Sequence, residues 1–326
     1  MYFLKSLILR LRFLALFLIS VLAASAHAQG GPPFITDDPG TPGNKHWEIN
    51  FGWIADHNRA SAAYQVPDGD FNYGLGDRVQ LKYELPIAIE QTLAQPAANG
   101  NPAVLGQTIG GLGESLLGIK WRFYEHRATD NSWMHGRWGT GLLSLIHPPP
   151  KEEKSGEEAA EPADPNLAIS TYPQIYLDNP TRAVPRGLVA PGPNFFLPIE
   201  YSFCLGPVLF NGDFGYSFGN HALPQQWQRG LIVGHQFSES TELYVELHDI
   251  QDANRLHTLQ GVGNFTTGYP KQRETTLGLG GRQALNQAKT INLLLMGGRS
   301  FQTTSVDNSQ PTWIAYAGFQ VLLGPK

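Results

Sequence analysis

After its first thirty residues the chain alternates apolar and polar side chains again and again. Trp47, Ile49, Phe51, Trp53 and Ala55 interleave with Glu48, Asn50 and Gly52, and Val79, Leu81, Tyr83, Leu85 and Ile87 interleave with Arg78, Gln80, Lys82 and Glu84. A period of two places each set on its own face of a strand, one dry and one polar. The pattern predicts twelve strands, at roughly 46–55, 63–74, 78–88, 111–125, 133–146, 194–204, 207–218, 226–237, 241–249, 272–283, 288–299 and 312–323. The fifth alternates least clearly.

The connections sort by length. Short ones follow the even strands, at Gly74 to Asp77, Glu125 to Ser132, Leu205-Gly206, Ser238 to Ser240 and Ala284 to Gln287. Longer ones follow the odd strands, at Asp56 to Ala62, Ile89 to Gly110, His147 to Pro193, Gly219 to Gln225, Ile250 to Lys271 and Ser300 to Pro311. That ordering predicts an all-β, antiparallel transmembrane β-barrel with short periplasmic turns, long extracellular loops and both termini in the periplasm. The longest loop, 147–193, opens on three prolines, and its Lys151–Asp164 run holds two basic and six acidic residues without an aromatic. Such a run has little to bury, so it reads as an exposed outer loop.

Trp227 and Phe237 share the apolar register of the eighth strand. Ten residues span roughly 33 Å along a strand, and a tilt of about 40° turns that into the ~25 Å height of the apolar band between two aromatic girdles. Trp47, Trp121, Phe123 and Trp313 stand near other strand ends and complete the expected girdle. A β-sandwich core would also use alternating aromatics, but it has no reason to sort its loops by length.

Composition narrows the class. Only 16% of residues are charged, against about a quarter in a typical soluble domain. Beyond the N-terminus no apolar run approaches the roughly 20 residues of a membrane helix. The N-terminus carries Lys5, Arg10 and Arg12, an apolar run from Leu11 to Ala24, and Ala26-His27-Ala28. This is the order of an export signal, residues 1–28, cleaved after Ala28. Cleavage makes a net charge of −5 more negative still, which excludes nucleic acid as a partner. The single Cys204 excludes an intrachain disulfide and paired-thiolate zinc sites, and it reads as a small apolar residue at a strand end.

The segments Gly31-Pro32-Pro33-Phe34-Ile35-Thr36-Asp37-Asp38-Pro39, Trp47-Glu48-Ile49-Asn50, Asp70-Phe71-Asn72-Tyr73-Gly74 and Gln80-Leu81-Lys82-Tyr83-Glu84-Leu85-Pro86 resemble the meta-pathway phenol-degradation-like family of outer-membrane transporters. The patch from Glu242 to His248 extends the resemblance more weakly. Membership implies a barrel that admits aromatic or other poorly polar compounds, in the outer membrane of a Gram-negative envelope. It brings no residue with an assigned chemical role.

Catalytic signatures are missing. The chain has no HExxH, GxSxG, Walker or Rossmann pattern, so neither a cofactor nor an enzymatic activity is expected. Its ten histidines are scattered, with no helical ligand spacing, so no metal site is expected, and His248 and His257 read as solvated. His235 and Ser238 share one strand end, at the wrong end of the wall for an outer-leaflet lipase.

The inward register is therefore where function is expected. The lumen-lining candidates are Glu48, Asn50, Asp70, Asn72, Arg78, Lys82, Glu84, Lys120, Arg122, Glu200, Asp213, Tyr244, Glu246, Glu274, Arg282 and Tyr316. Their charges are of both signs, which fits either a narrow pore or a closed, internally paired scaffold. The Pro/Gly-rich segment 29–45 cannot form a wall strand and is placed to plug the lumen from the periplasmic side. Its Asp37 and Asp38 read as an Asp-Asp-Pro turn, with a divalent-ion site as the sharper alternative. The expectation is a barrel over 46–326 that passively admits small, aromatic or hydrophobic molecules, with outer-membrane lipids and lipopolysaccharide as surroundings. The competing class is a non-conducting barrel whose loops bind a partner.

Overall fold

The computed structural model describes residues 31–94, 105–126, 137–138, 167–179, 181–189, 192–205, 208–219, 225–253, 273–303 and 311–325. All regular structure among them is strand. The strands are β1 (Trp47–His57), β2 (Ser61–Gly74), β3 (Val79–Thr92), β4 (Gln107–Leu112), β5 (Ser115–His126), β6 (Arg137–Trp138), β7 (Leu167–Thr171) and β8 (Gln174–Leu177), then β9 (Asn194–Leu205), β10 (Val208–Gly219), β11 (Gln226–Ser238), β12 (Thr241–Asp252), β13 (Arg273–Ala284), β14 (Ile291–Thr303) and β15 (Pro311–Leu323).

Every pairing is antiparallel, and β15 returns to β1 from Trp47↔Leu323 to His57↔Trp313, which closes the sheet. Closure is what a strand wall in hydrocarbon requires, since an open edge would leave backbone groups without partners. Two staves are interrupted. β4 and β5 both pair with β3, with a one-residue slip at Gly113 and Glu114. β7 and β8 pair with β9 in one register across Tyr172 and Pro173. Counted as staves the wall is twelve-stranded, as the alternation predicts.

The fifth stave differs from the sequence reading. It is formed by 167–177, inside the segment read as the 147–193 loop, and not by 133–146. Of the latter span only Arg137 and Trp138 are described, paired with Glu125 and Tyr124. Pro165 and Pro173 make 167–177 look like loop, yet Pro173 falls at the break between two short strands, where its missing N–H costs the ladder little. Topology changes accordingly. His126 pairs with Leu167 at the end of the barrel that also carries the tight β2–β3, β11–β12 and β13–β14 turns. The connection bearing Lys151–Asp164 thus leaves and rejoins the wall at this turn end. The charge run itself, like the signal segment, lies outside the described residues.

At the opposite, loop end, β1 and β2 are joined by only Asn58, Arg59 and Ala60. Asn58 Oδ1 accepts from the Ala60 and Ser61 amides at 2.8 and 2.9 Å, tightening what the sequence reads as a longer loop. Connection length therefore does not sort strictly by end.

The two faces are inverted relative to a soluble barrel. Outward positions such as Leu81, Ile119, Leu197, Leu279 and Phe319 are exposed, whereas inward Asn50, Asp70, Glu200, Asn211 and Glu246 are buried. Trp47, Trp227, Phe237 and Trp313 face outward and exposed. Trp121 and Phe123 are half-buried, their rings 5.8 Å apart beside the irregularity between Arg122 and Tyr124. Aromatic rings also lie across glycines inside the wall. A Cβ at Gly52 would stand 2.7 Å from the Tyr316 ring, so the glycine makes room for the tyrosine to lie flat.

Candidate functional site in the barrel lumen

The inward register assembles a polar wall over β1 to β3. Asn50 Nδ2 donates to Glu48 Oε1 and Asp70 Oδ2 at 3.1 and 3.2 Å, Asn72 Nδ2 donates to Asp70 Oδ1 at 3.1 Å, and Gln80 Nε2 donates to Asn72 Oδ1 at 2.7 Å. Lys82 bridges Asp70 and Glu84 at 3.2 and 3.0 Å. Glu125, absent from the sequence candidates, collects Arg78 at 3.1 Å and Arg122 at 3.2 Å. Across the lumen Arg282 meets Glu242 at 2.8 Å, and the Tyr244 hydroxyl donates to the same carboxylate. Glu274 accepts from Ser300 and from Gln302, the latter at 3.0 Å. The mixed signs found in sequence are thus arranged as local pairs.

The N-terminal segment occupies the space between these walls. Phe34 joins the buried cluster of Leu209, Ile232, Tyr244, Leu294, Met296 and Tyr316, with its ring edge-on to Tyr244 at 5.4 Å. Glu246 Oε1 accepts the amides of Ile35 and Thr36 at 3.0 and 2.7 Å. Lys120 Nζ lies 2.9 Å from Asp37 Oδ1 and 3.4 Å from Glu200 Oε2, donates to the Asp38 carbonyl, and Ser170 Oγ donates to Glu200 at 2.6 Å. Burial raises the Asp37 carboxyl, but Lys120 and Lys82 outweigh it and hold the group below its ordinary value. Asp38 Oδ1 accepts the Gly40 amide at 2.6 Å, the turn expected of Asp-Asp-Pro, while the role of Asp37 as a partner of Lys120 has no sequence signature. Farther on, Thr41 Oγ1 donates to the Asp77 carbonyl at 2.8 Å and Lys45 N to the Gly74 carbonyl at 2.9 Å, tying the segment to the β2–β3 turn.

This segment divides the lumen. On the loop side lies a cavity of about 340 Å³ lined by Phe34, Tyr176, Phe196, Met296 and Tyr316 together with Asp56, Asp68, Glu84, Glu200, Asp213 and Glu274. On the turn side lies one of about 530 Å³ lined by residues including Thr41, His46, Glu48, Arg122, Glu242, Arg282 and Asn292. Between them, beside Asp37, Asp38 and Lys120, lies a pocket of about 20 Å³.

Other sequence candidates fall elsewhere. His248 is buried, because β12 runs on to Asp252 and carries it inside; His257 lies outside the described residues. His235 stacks edge-on against Phe237 at 4.6 Å and Ser238 Oγ contacts Ser240 Oγ at 3.2 Å, an arrangement unlike a nucleophile and its base. Cys204 packs against the lumen cluster. Among the described residues no group of three or more metal-ligating side chains converges.

A closed twelve-stave wall, apolar outside and polar inside, defines an outer-membrane β-barrel. No family model and no curated protein matches the sequence. Among solved structures, the crystal structure of an outer membrane channel of Pseudomonas putida F1 is 11% identical with a TM-score of 0.52, covering 90% of this chain and 100% of that one. The NanC porin is 5% identical with a TM-score of 0.45, covering 84% and 98%. The first likeness establishes a shared barrel fold.

Proposed function

We propose that this barrel is a passive channel for small, aromatic or otherwise poorly polar molecules, with residues 29–45 as its plug and the turn end, including both termini, in the periplasm after cleavage behind Ala28. The observation that carries this reading is the pair of cavities, about 340 and 530 Å³, separated by a short inner segment. The aromatic and thioether lining of the loop-side cavity offers an apolar permeant contact as it sheds water, and its carboxylates disfavour anions. The Pseudomonas barrel, an outer membrane channel, supports the channel part of this reading, and the resemblance of 31–39 to the meta-pathway family supports the aromatic permeant.

The test is single-channel recording and liposome uptake of phenol against a small sugar, with the whole mature chain and with one lacking residues 31–42. Conductance should rise on deletion, and phenol should be favoured before it. No flux in either protein would replace the channel with the non-conducting, loop-binding barrel.

A further inference from the structure

Each strand register assigns its residues to the inner or the outer face. Among the described strand residues, only four of the Asp, Glu, Lys and Arg side chains fall on the outward face: Arg229 on β11, Asp249 on β12, Arg273 on β13 and Arg299 on β14. They occupy four consecutive strands, and all lie toward the loop end. Arg229 pairs across from Asp249, Asp249 from Thr275, and Arg299 from Trp313. Among the described residues the outward charge of the wall thus gathers on neighbouring strands at one end, three guanidinium groups to one carboxylate.

The patch is organised rather than scattered. Asp249 accepts Arg229 Nε at 2.8 Å through one oxygen, and Arg273 Nε at 2.6 Å and Thr275 Oγ1 at 2.8 Å through the other. Both arginines are held by their inner nitrogens. Arg229 Nη2 donates to Gln251 at 3.0 Å, and the ends of both side chains stay exposed. The Arg299 guanidinium lies 5.0 Å from the Trp313 ring and 5.4 Å from Phe301, and its buried Nε has no hydrogen-bond partner. Asp249 neutralises one of three charges, so the patch keeps an excess of two. Charge on the lipid face is tolerated only near an interface, and Trp227 and Trp313 on the same wall mark that level.

We infer that this patch is a binding site for the phosphate of an outer-leaflet glycolipid of the lipid A type. Guanidinium groups recognise phosphate by paired, charge-assisted hydrogen bonds, and a lipid phosphate is the anion that lies beside an aromatic girdle with its acyl chains along the wall. Glycolipid is selected over phospholipid because the loop end faces the outer leaflet, which rests on the orientation proposed above. Asp249 is a positioning residue that fixes two of the three cations.

The experiment is native mass spectrometry of the full-length protein in detergent, with bisphosphoryl lipid A, dephosphorylated lipid A and phosphatidylglycerol as probes. One lipid A should stay bound, and the combined Arg229→Gln, Arg273→Gln and Arg299→Gln variant should lose at least about tenfold in retention. Lys289→Gln at the turn end should change nothing. A heat-dependent shift in gel mobility verifies that each variant is folded, and the three single variants serve where the combined one is not. Equal retention of dephosphorylated lipid A, or undiminished retention by the folded variants, would overturn the site. Equal retention of phosphatidylglycerol would overturn the glycolipid assignment. Because binding is read without current, it stands or falls separately from conduction.

Discussion

Lys120 on β5 holds Asp37 of the inner segment at 2.9 Å while also facing Glu200 on β9 at 3.4 Å, so one buried ammonium joins the barrel wall to what fills it. Removing a partner from a buried charge cluster costs about 3–5 kcal/mol, because the remaining charges stay desolvated. Lys120→Met should therefore lower the thermal unfolding midpoint in detergent, and adding Asp37→Asn and Glu200→Gln should restore part of it. An unchanged midpoint for Lys120→Met would remove the clamp from the account.

The same pair sets a pH dependence. The folded Asp37 carboxyl lies below its unfolded value of 3.8, so its contribution is present above that pH and lost as pH falls through the lower folded value. Protease protection of the inner segment, compared between the parent and Asp37→Asn, should show the Asp37 contribution unchanged from pH 7 to 5. A contribution that fades within that window would contradict the assigned direction.

Glu246 accepts two amides of the inner segment through one oxygen, and a hydrogen bond to a charged group contributes about 1.5–3 kcal/mol. Glu246→Leu should speed amide exchange at Ile35 and Thr36, while Glu246→Gln, which keeps an acceptor, should have a smaller effect. Identical exchange in the two variants would mean that shape alone holds the segment.

Sequence carried the wall further than its contents. β1, β3 and β9 to β15 lie within a few residues of the predicted spans because each keeps one dry face. The stave 167–177 was hidden by Pro165 and Pro173, although Leu167, Ile169, Thr171, Ile175 and Leu177 do alternate with Ala168, Ser170, Tyr172, Gln174 and Tyr176. Phe34, Asp37 and the Ile35 amide find partners on β5, β10, β11, β12, β14 and β15, a convergence set by closure rather than by local pattern. The outward arginines are legible by register, since Arg229 follows Trp227 by two, but an alternating pattern does not show that charges on neighbouring strands meet.

A close approach inside the wall gives a packing test. Gly52→Val would press a branched side chain into the Tyr316 ring, an overpacking that typically costs about 1–3 kcal/mol. The unfolding midpoint should fall, and Tyr316→Ala should relieve part of the loss in the double variant. Additive losses would show that the two residues do not interact.

The His126↔Leu167 pairing also makes a topological prediction. An epitope inserted after Gly156 should be detected only once the outer membrane is opened, whereas one inserted at Gly261, between β12 and β13, should be detected on intact cells. The reverse result would invert the barrel.

The seam between β1 and β15 bears on assembly. All the other seams join stretches of chain that follow one another, so they are available as soon as those stretches emerge, but this one joins the first strand to the last. Until β15 arrives, β1 and β14 each present a bare edge, and an incomplete barrel is sticky toward other strands rather than merely smaller. A chain stopped short of Pro311 should accordingly be a target for envelope proteases, because closure waits on the thirteen-residue strand β15.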